Sequence, residues 1–269
     1  KASIAAALGY FIFPFDFLPD LLPLVGFADA GDPLFSEFKT IIGDFYLTPR
    51  DILEKSFPDY TGSWDGASVV SWILPFSRAI REENRGETFC SSKAWAFAKT
   101  HGEELNGKLA EHIASYLNDR GFVAVIPTHS PFFEVLQPED AGFTSNWSER
   151  HVAYVAGLGT FGLSGGLITK RGIAVRCGSL ATSLKLKPTP RPYSRYHEYC
   201  LFYNSKGCGS CIARCPGGAI SAKGHDQQLC MIHGAEIMQR CELFDPVLPT
   251  CGLCQTAVPC EAGIPERQG

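Results

Sequence analysis

Residues 68–76, Ser-Val-Val-Ser-Trp-Ile-Leu-Pro-Phe, form an apolar run closed by Pro75, the pattern of a buried strand. From about Ser91 to Arg120 the rhythm changes. Leu105, Leu109, Ile113 and Leu117 recur every fourth residue between charged or polar positions, which predicts a long amphipathic helix. Gly121 stands where such a helix ends, and Phe122-Val-Ala-Val-Ile126 then reads as a short strand before Pro127. Ser145 to Ala156 predicts a second, capped amphipathic helix. Leu167-Ile-Thr169 and Ile173-Ala-Val-Arg176, around Lys170-Arg-Gly172, read as a β-hairpin, with a further strand reaching Thr182. Helices alternating with strands imply layered α/β architecture. Residues 184–195, rich in proline and basic side chains, read as a linker. No solenoid-period repeat or low-complexity tract interrupts the chain.

The apolar stretch from Ala2 to Ala28 superficially resembles a signal peptide or membrane anchor, but Pro14, Asp16, Pro19, Asp20 and Pro23 break it. A spanning helix needs about 20 mostly apolar residues without charges, so a short helix and a buried, proline-punctuated turn are expected instead. The core Tyr10-x3-Pro14-x-Asp16-x2-Pro19-Asp20 also resembles a small membrane-associated helical family, which leaves membrane contact by this segment open. Lys1 in the first position points to a start upstream.

With 269 residues and 45% apolar side chains, the chain can bury one large core or two smaller ones. A formal net charge of −4 argues against a broad nucleic-acid surface. Cysteine changes the picture most: there are 11, and nine lie between Cys200 and Cys260. Cys208-x2-Cys211-x3-Cys215-Pro216 is the back half of the bacterial ferredoxin run that holds cubane clusters. Zinc would need paired knuckles with four ligands in all, and dense disulfides belong mainly to small secreted domains. The eight thiols of Cys200, Cys208, Cys211, Cys215, Cys230, Cys251, Cys254 and Cys260 suit two four-thiolate clusters better. Such clusters favour a reducing compartment, so the cytoplasm is expected.

In two-cluster ferredoxins the cysteine before proline binds the other cluster, which separates Cys215 from Cys208 and Cys211. Ser205 occupies the place of the run's first cysteine, and Cys200 is the nearest thiol upstream. Cys251 and Cys254 can share a turn and a cluster, with Cys260 crossing back to the first. Either Cys230 or Cys241 then completes the second set. Cys90, Cys177 and Cys241 have a simpler reading as buried, inert thiols.

Gly157-Leu-Gly159-Thr-Phe-Gly162 matches the dinucleotide fingerprint, but a helix leads into it and a predicted hairpin follows, so a Rossmann site is rejected. Such a loop instead permits close approach of a bulky cofactor or a neighbouring backbone. His151 and Tyr154 share one helical face just before it and are candidate proton donors for a reduction. The plain alternative is a capped helix with a packed tyrosine.

Taken together, Ser148-Glu-Arg-His151, Ala156-Gly-Leu-Gly-Thr-Phe-Gly162, Leu167-Ile-Thr169, Arg176 and the C-x2-C-x3-C-P tail resemble the epoxyqueuosine reductase and reductive dehalogenase superfamily. Cys230-Met-Ile-His and Cys251-Gly-Leu-Cys254-Gln are similar to that family's later cysteine elements, which favours Cys230 over Cys241. The resemblance spans about residues 65–265. It implies an α/β (α+β) fold with a nitroreductase-like core and a C-terminal ferredoxin-like domain with two 4Fe-4S clusters. The expected divisions are a helical cap segment over 1–60, the corrinoid-binding core over 61–190 and the cluster domain over 191–269. It also implies a corrinoid (cobalamin) lined by Gly157, Leu158, Gly159, Gly162, Leu167, Ile168 and Thr169. The cysteine sets become Cys200, Cys208, Cys211 and Cys260, then Cys215, Cys230, Cys251 and Cys254. The expected activity is a reductase fed by a ferredoxin- or flavodoxin-like donor. A small-molecule substrate fits the acidic chain better than tRNA. The competing expectations are an electron-transfer module without corrinoid and a zinc-stabilised interaction protein.

Overall fold

The apolar run at 68–76 becomes the central strand of the protein. In this computed structural model, which describes residues 24–137, 143–205, 207–242, 244 and 247–266, strand β2 (Ser68–Pro75) is flanked on both sides. On one side it pairs antiparallel with β1 (Leu24–Asp29), from Leu24 opposite Ile73 to Asp29 opposite Ser68. On the other it pairs antiparallel with β8 (Val175–Thr182), whose far edge takes the two-residue strand β3 (Ala124–Val125). The sheet order is β1-β2-β8-β3, and every pairing is antiparallel. Mixed α/β layering is therefore reached without parallel crossover units.

Alternation along β2 builds two cores. Val70 and Trp72 face α4 (Lys93–Asn118), where Leu109, Ile113 and Leu117 cover them. Asn106, buried on the same helix, accepts a 2.7 Å hydrogen bond from the Trp72 indole and donates to the Cys177 carbonyl. The predicted stripe is thus offset: Leu105 is 50% exposed and Asn106 takes the inward place. Val69 and Ile73 face the opposite layer, which holds α1 (Pro33–Ile41), α2 (Pro49–Ser56) and α5 (Glu149–Val155).

This arrangement revises the division at residue 60. Residues 24–29 are a strand of the main sheet, and Phe35, Phe38 and Tyr46 lie fully inside the principal core. The expected helix and turn over residues 2–23 lie outside the described residues. Among those described, no helix is long and apolar enough to cross a membrane.

The expected hairpin over 167–176 is also revised. Strand β7 (Leu167–Thr169) pairs instead with β6 (Gly159–Phe161), which belongs to the glycine loop itself. Gly159 makes this possible, because a Cβ there would collide with the Ile168 carbonyl. The linker at 184–195 is strapped to the sheet, with Thr189 exchanging hydrogen bonds with the Phe27 backbone. Beyond it come the short helices α6 (Leu201–Ser205) and α7 (Ser210–Ala213) and the hairpin β9 (Ile220–Ser221)–β10 (Gly224–His225). Helix α8 (Gln227–Arg240) follows; α3 (Arg78–Arg85) precedes α4, and the hairpin β4 (Val135–Leu136)–β5 (Thr144–Ser145) precedes α5.

Candidate functional site

Two groups of four cysteines form beneath an open cleft. Cys200, Cys208, Cys211 and Cys260 border one tight cavity, walled by Leu163, Ile168, Ile173 and Phe202. Cys215, Cys230, Cys251 and Cys254 border another, of about 310 Å³. Local structure explains how distant residues arrive there. Asp226 caps α8 by accepting from the Leu229 backbone, which places Cys230 on the first turn. Gly252 adopts φ +78° and packs its bare Cα against the Trp95 indole, where a Cβ would clash. The single 3₁₀ turn Leu253–Gln255 that follows carries Cys254. The Cys260 carbonyl accepts from the Ile173 backbone at 2.9 Å, tying the chain's last cysteine to the core.

Within each group the thiols sense one another. Burial, then Cys200, Cys211 and Cys208, push Cys260 up to about 12. Burial, then Cys251, Cys230 and Cys215, raise Cys254 further. A crowded group of unbridged thiols that resists losing protons in isolation gains most from a positive metal centre, which takes them as thiolates. All eight are free thiols. Among the described residues no three His, Cys, Asp or Glu converge on a single-ion site. A cubane cluster takes its thiolates at separate corners, a wider spacing than the ligands of one zinc ion require. The donor type, thiol throughout both groups, is the one iron–sulfur clusters take.

Cys230 stands in the second cavity, whereas Cys241 is bonded to Cys90 with their Cα atoms 6.7 Å apart. The inert-thiol reading of Cys90 and Cys241 is thereby corrected: they form a cross-link from the loop before α4 to the end of α8. Cys177 is a half-buried free thiol, pushed up to about 12 first by desolvation and then by Glu149.

Above the cysteines lies the cleft, a cavity of about 760 Å³ continuous with a lobe of about 520 Å³. Phe143, Arg150, His151, Tyr196 and His225 belong to both walls. Arg150 and His225 also border the second cysteine cavity, and Cys230 reaches the smaller lobe, so cleft and thiols adjoin. Helix α5 supplies Arg150 and His151. Ser148, at its N-cap, does not cap the helix; its hydroxyl lies 2.7 Å from His151 Nδ1. The Tyr196 hydroxyl lies 2.6 Å from His151 Nε2. Burial, with Arg150 adding to it, lowers His151 to about 3, so its ring is neutral between two hydroxyls. Burial raises the Tyr196 phenol above its ordinary range.

The expected pair His151 and Tyr154 is divided. Tyr154 is buried among Phe161, Tyr193 and Tyr196, and its carbonyl accepts from the Tyr193 hydroxyl. Tyr196 is the tyrosine beside His151. It lies just past the linker, 45 residues away, with no local pattern to mark it.

The glycine loop also differs from its expected use. Leu158, Leu167, Ile168 and Thr169 are buried, and Gly157, at φ +80°, is held against the Pro190 carbonyl. Of the seven residues expected to line a corrinoid, Gly162 alone reaches the cleft. Gly165 joins it there at φ +72°, exposing backbone to the smaller lobe. That bare edge still fits a flat cofactor, but with a different set of residues.

Residues 1–29 match a family described only as a protein of unknown function, DUF1232. Among curated proteins none matches the chain. Among solved structures, an epoxyqueuosine reductase with an epoxyqueuosine-modified tRNA-Tyr stem loop has TM-score 0.52 and 18% identity. The match covers 99% of this chain and 65% of that one. A catabolic reductive dehalogenase has TM-score 0.58 and 17% identity, over 98% and 32% of the two chains. A reductive dehalogenase structure that suggests a mechanism for B12-dependent dehalogenation has 0.56 and 15%, over 88% and 30%. The chain thus spans just under two thirds of the epoxyqueuosine reductase and about a third of the dehalogenases. Its architecture is the fold found in epoxyqueuosine reductases and reductive dehalogenases.

Proposed function

We propose that this protein is an iron–sulfur, corrinoid-dependent oxidoreductase, in which residues 191–269 act as a ferredoxin-like domain feeding electrons to a substrate in the cleft. One observation carries the reading: eight free cysteines divide into two foursomes, and one foursome adjoins a large cleft with a half-buried histidine–tyrosine pair. Cys200, Cys208, Cys211 and Cys260 would hold one 4Fe-4S cluster, and Cys215, Cys230, Cys251 and Cys254 the other. Gly162 and Gly165 would face the corrinoid. When bound, the clusters supply single electrons and the corrinoid supplies low-valent cobalt for the reduction.

The chain's own residues manage protons and charge. Reductive cleavage, R–X + 2e⁻ + H⁺ → R–H + X⁻, requires one proton at the carbon. Tyr196 supplies it from its phenol. His151 holds the resulting phenolate by donating from Nε2 and accepts from the Ser148 hydroxyl at Nδ1, so the three groups form a path for reprotonation. Arg150 offers a fixed positive charge at the cleft for an anionic substrate or the departing X⁻.

The reductant is a ferredoxin- or flavodoxin-like donor and the substrate a small molecule. The epoxyqueuosine reductase comparison supports a modified nucleoside in tRNA as the alternative. Anaerobic purification with metal analysis tests the reading: about eight irons per chain are expected for two cubane clusters, with cobalamin taken up on reconstitution. Zinc without iron overturns it. Iron without cobalamin uptake or turnover identifies an electron-transfer module instead.

A further inference from the structure

The two cysteine cavities differ sharply in their electrostatic surroundings. Around Cys200, Cys208, Cys211 and Cys260 the wall is apolar, and no charged side chain borders it among the described residues. Around Cys215, Cys230, Cys251 and Cys254 three cationic side chains converge: Lys99, Arg150 and Arg176. Lys99 lies on α4, exposed at the rim of the cavity and within electrostatic reach of Cys251 and Cys230, although desolvation and then Arg176 lower its pKa. Arg176 is locked beside it, donating from Nη2 to the Lys99 carbonyl at 2.7 Å. Glu103 sits 3.3 Å from Arg176 Nη1 and is mostly exposed, as Lys99 is, so solvent screens both. Glu236 lies behind His233, at 3.6 Å from its Nδ1, and is half exposed.

Adding an electron to a thiolate-bound cluster increases local negative charge. That step is favoured by a fixed cation at the cavity wall and disfavoured by a purely apolar shell. We propose that Lys99 and Arg176 raise the reduction potential of the cluster held by Cys215, Cys230, Cys251 and Cys254 above that of its neighbour. The inference rests on the cysteine assignment above and goes beyond it by naming the side chains that separate the two potentials. Lys99 and Arg176 are positioning residues here, since they act through the cluster and not on substrate.

An anaerobic potentiometric titration of the full chain, followed by electron paramagnetic resonance, tests this. Two separate one-electron steps are expected, and Cys211→Ser identifies the lower step by perturbing the apolar set alone. Lys99→Met should make reduction at the higher step about tenfold less favourable, a shift of about 59 mV for one electron, and leave the lower step unmoved. Lys99→Arg, which keeps the charge, should restore the wild-type value. Coincident steps in the wild type, or a Lys99→Met protein with full iron and unmoved potentials, overturn the inference alone. A wild-type protein without iron overturns the cysteine assignment itself, and the inference with it.

Discussion

Glu149 is the first residue of α5 and carries a carboxyl group with almost no access to water. Its Oε1 accepts from the Trp147 indole at 3.2 Å, while Oε2 is buried with no partner among the described residues. Burial is the main cause that moves its pKa to about 8, against the smaller opposing effects of Ser179 and Trp147. The folded state therefore holds a proton that the unfolded chain releases near its ordinary value of 4.5. Because the native state binds more protons between those values, stability is highest below about 4.5 and falls as pH rises, until the folded carboxyl ionises near 8. Each pH unit in that window costs about 1.4 kcal/mol, so pH 5.5 to 7.5 costs about 2.5 kcal/mol from this residue. Glu149→Gln keeps the shape and removes the titration. Anaerobic urea unfolding of both proteins at matched iron content should show the variant gaining that difference as pH rises. An infrared band of a protonated carboxyl at neutral pH should disappear in the variant. A wild-type minus variant difference that stays constant to within about 0.5 kcal/mol from pH 5.5 to 7.5 would refute the reasoning.

Four further outcomes follow from individual residues. Tyr196→Phe should lower kcat by about 100-fold with little change in KM and normal iron content, and an unchanged kcat rules out the phenol as proton source. Gly172 combines φ +86° with a Cα pressed on the Glu261 carbonyl, so Gly172→Ala should cost at least about 1–2 kcal/mol. Because Ile173 anchors Cys260, that variant should also lose iron from one cluster first, which metal analysis against Tm will show. Thiol titration of denatured, metal-free, unreduced protein should count nine free thiols, rising to 11 after reduction. Cys90→Ser removes a cross-link spanning 151 residues, worth about 5 kcal/mol on the chain-entropy view, and unfolding in urea measures it.

Much of the architecture could be read along the chain because its cause is local. The run at 68–75 is apolar on both sides because both faces of β2 are covered, and the fourfold rhythm ending at Leu117 marks the side of α4 that meets the sheet. The spacing of Cys208, Cys211 and Cys215 is likewise a property of one turn and its neighbour, so ligand chemistry was visible without a fold. Other features depend on distant partners. Leu105 obeys the rhythm yet faces water, because Asn106 is the residue that Trp72 reaches. Gly159 is required by the Ile168 carbonyl across a hairpin and not by a cofactor edge, a distinction no spacing records.

The amino-acid order by itself marked β2, α4 and α5 and gathered the thiols into the carboxy-terminal third, since periodicity and residue type need only near neighbours. Tertiary structure alone decided that Cys241 joins Cys90 while Cys230 enters the second cavity, and that Tyr196 rather than Tyr154 meets His151. Those pairings join residues 45 to 151 positions apart, and only the packing of the linker, α5 and α8 around one antiparallel sheet brings them within bonding distance.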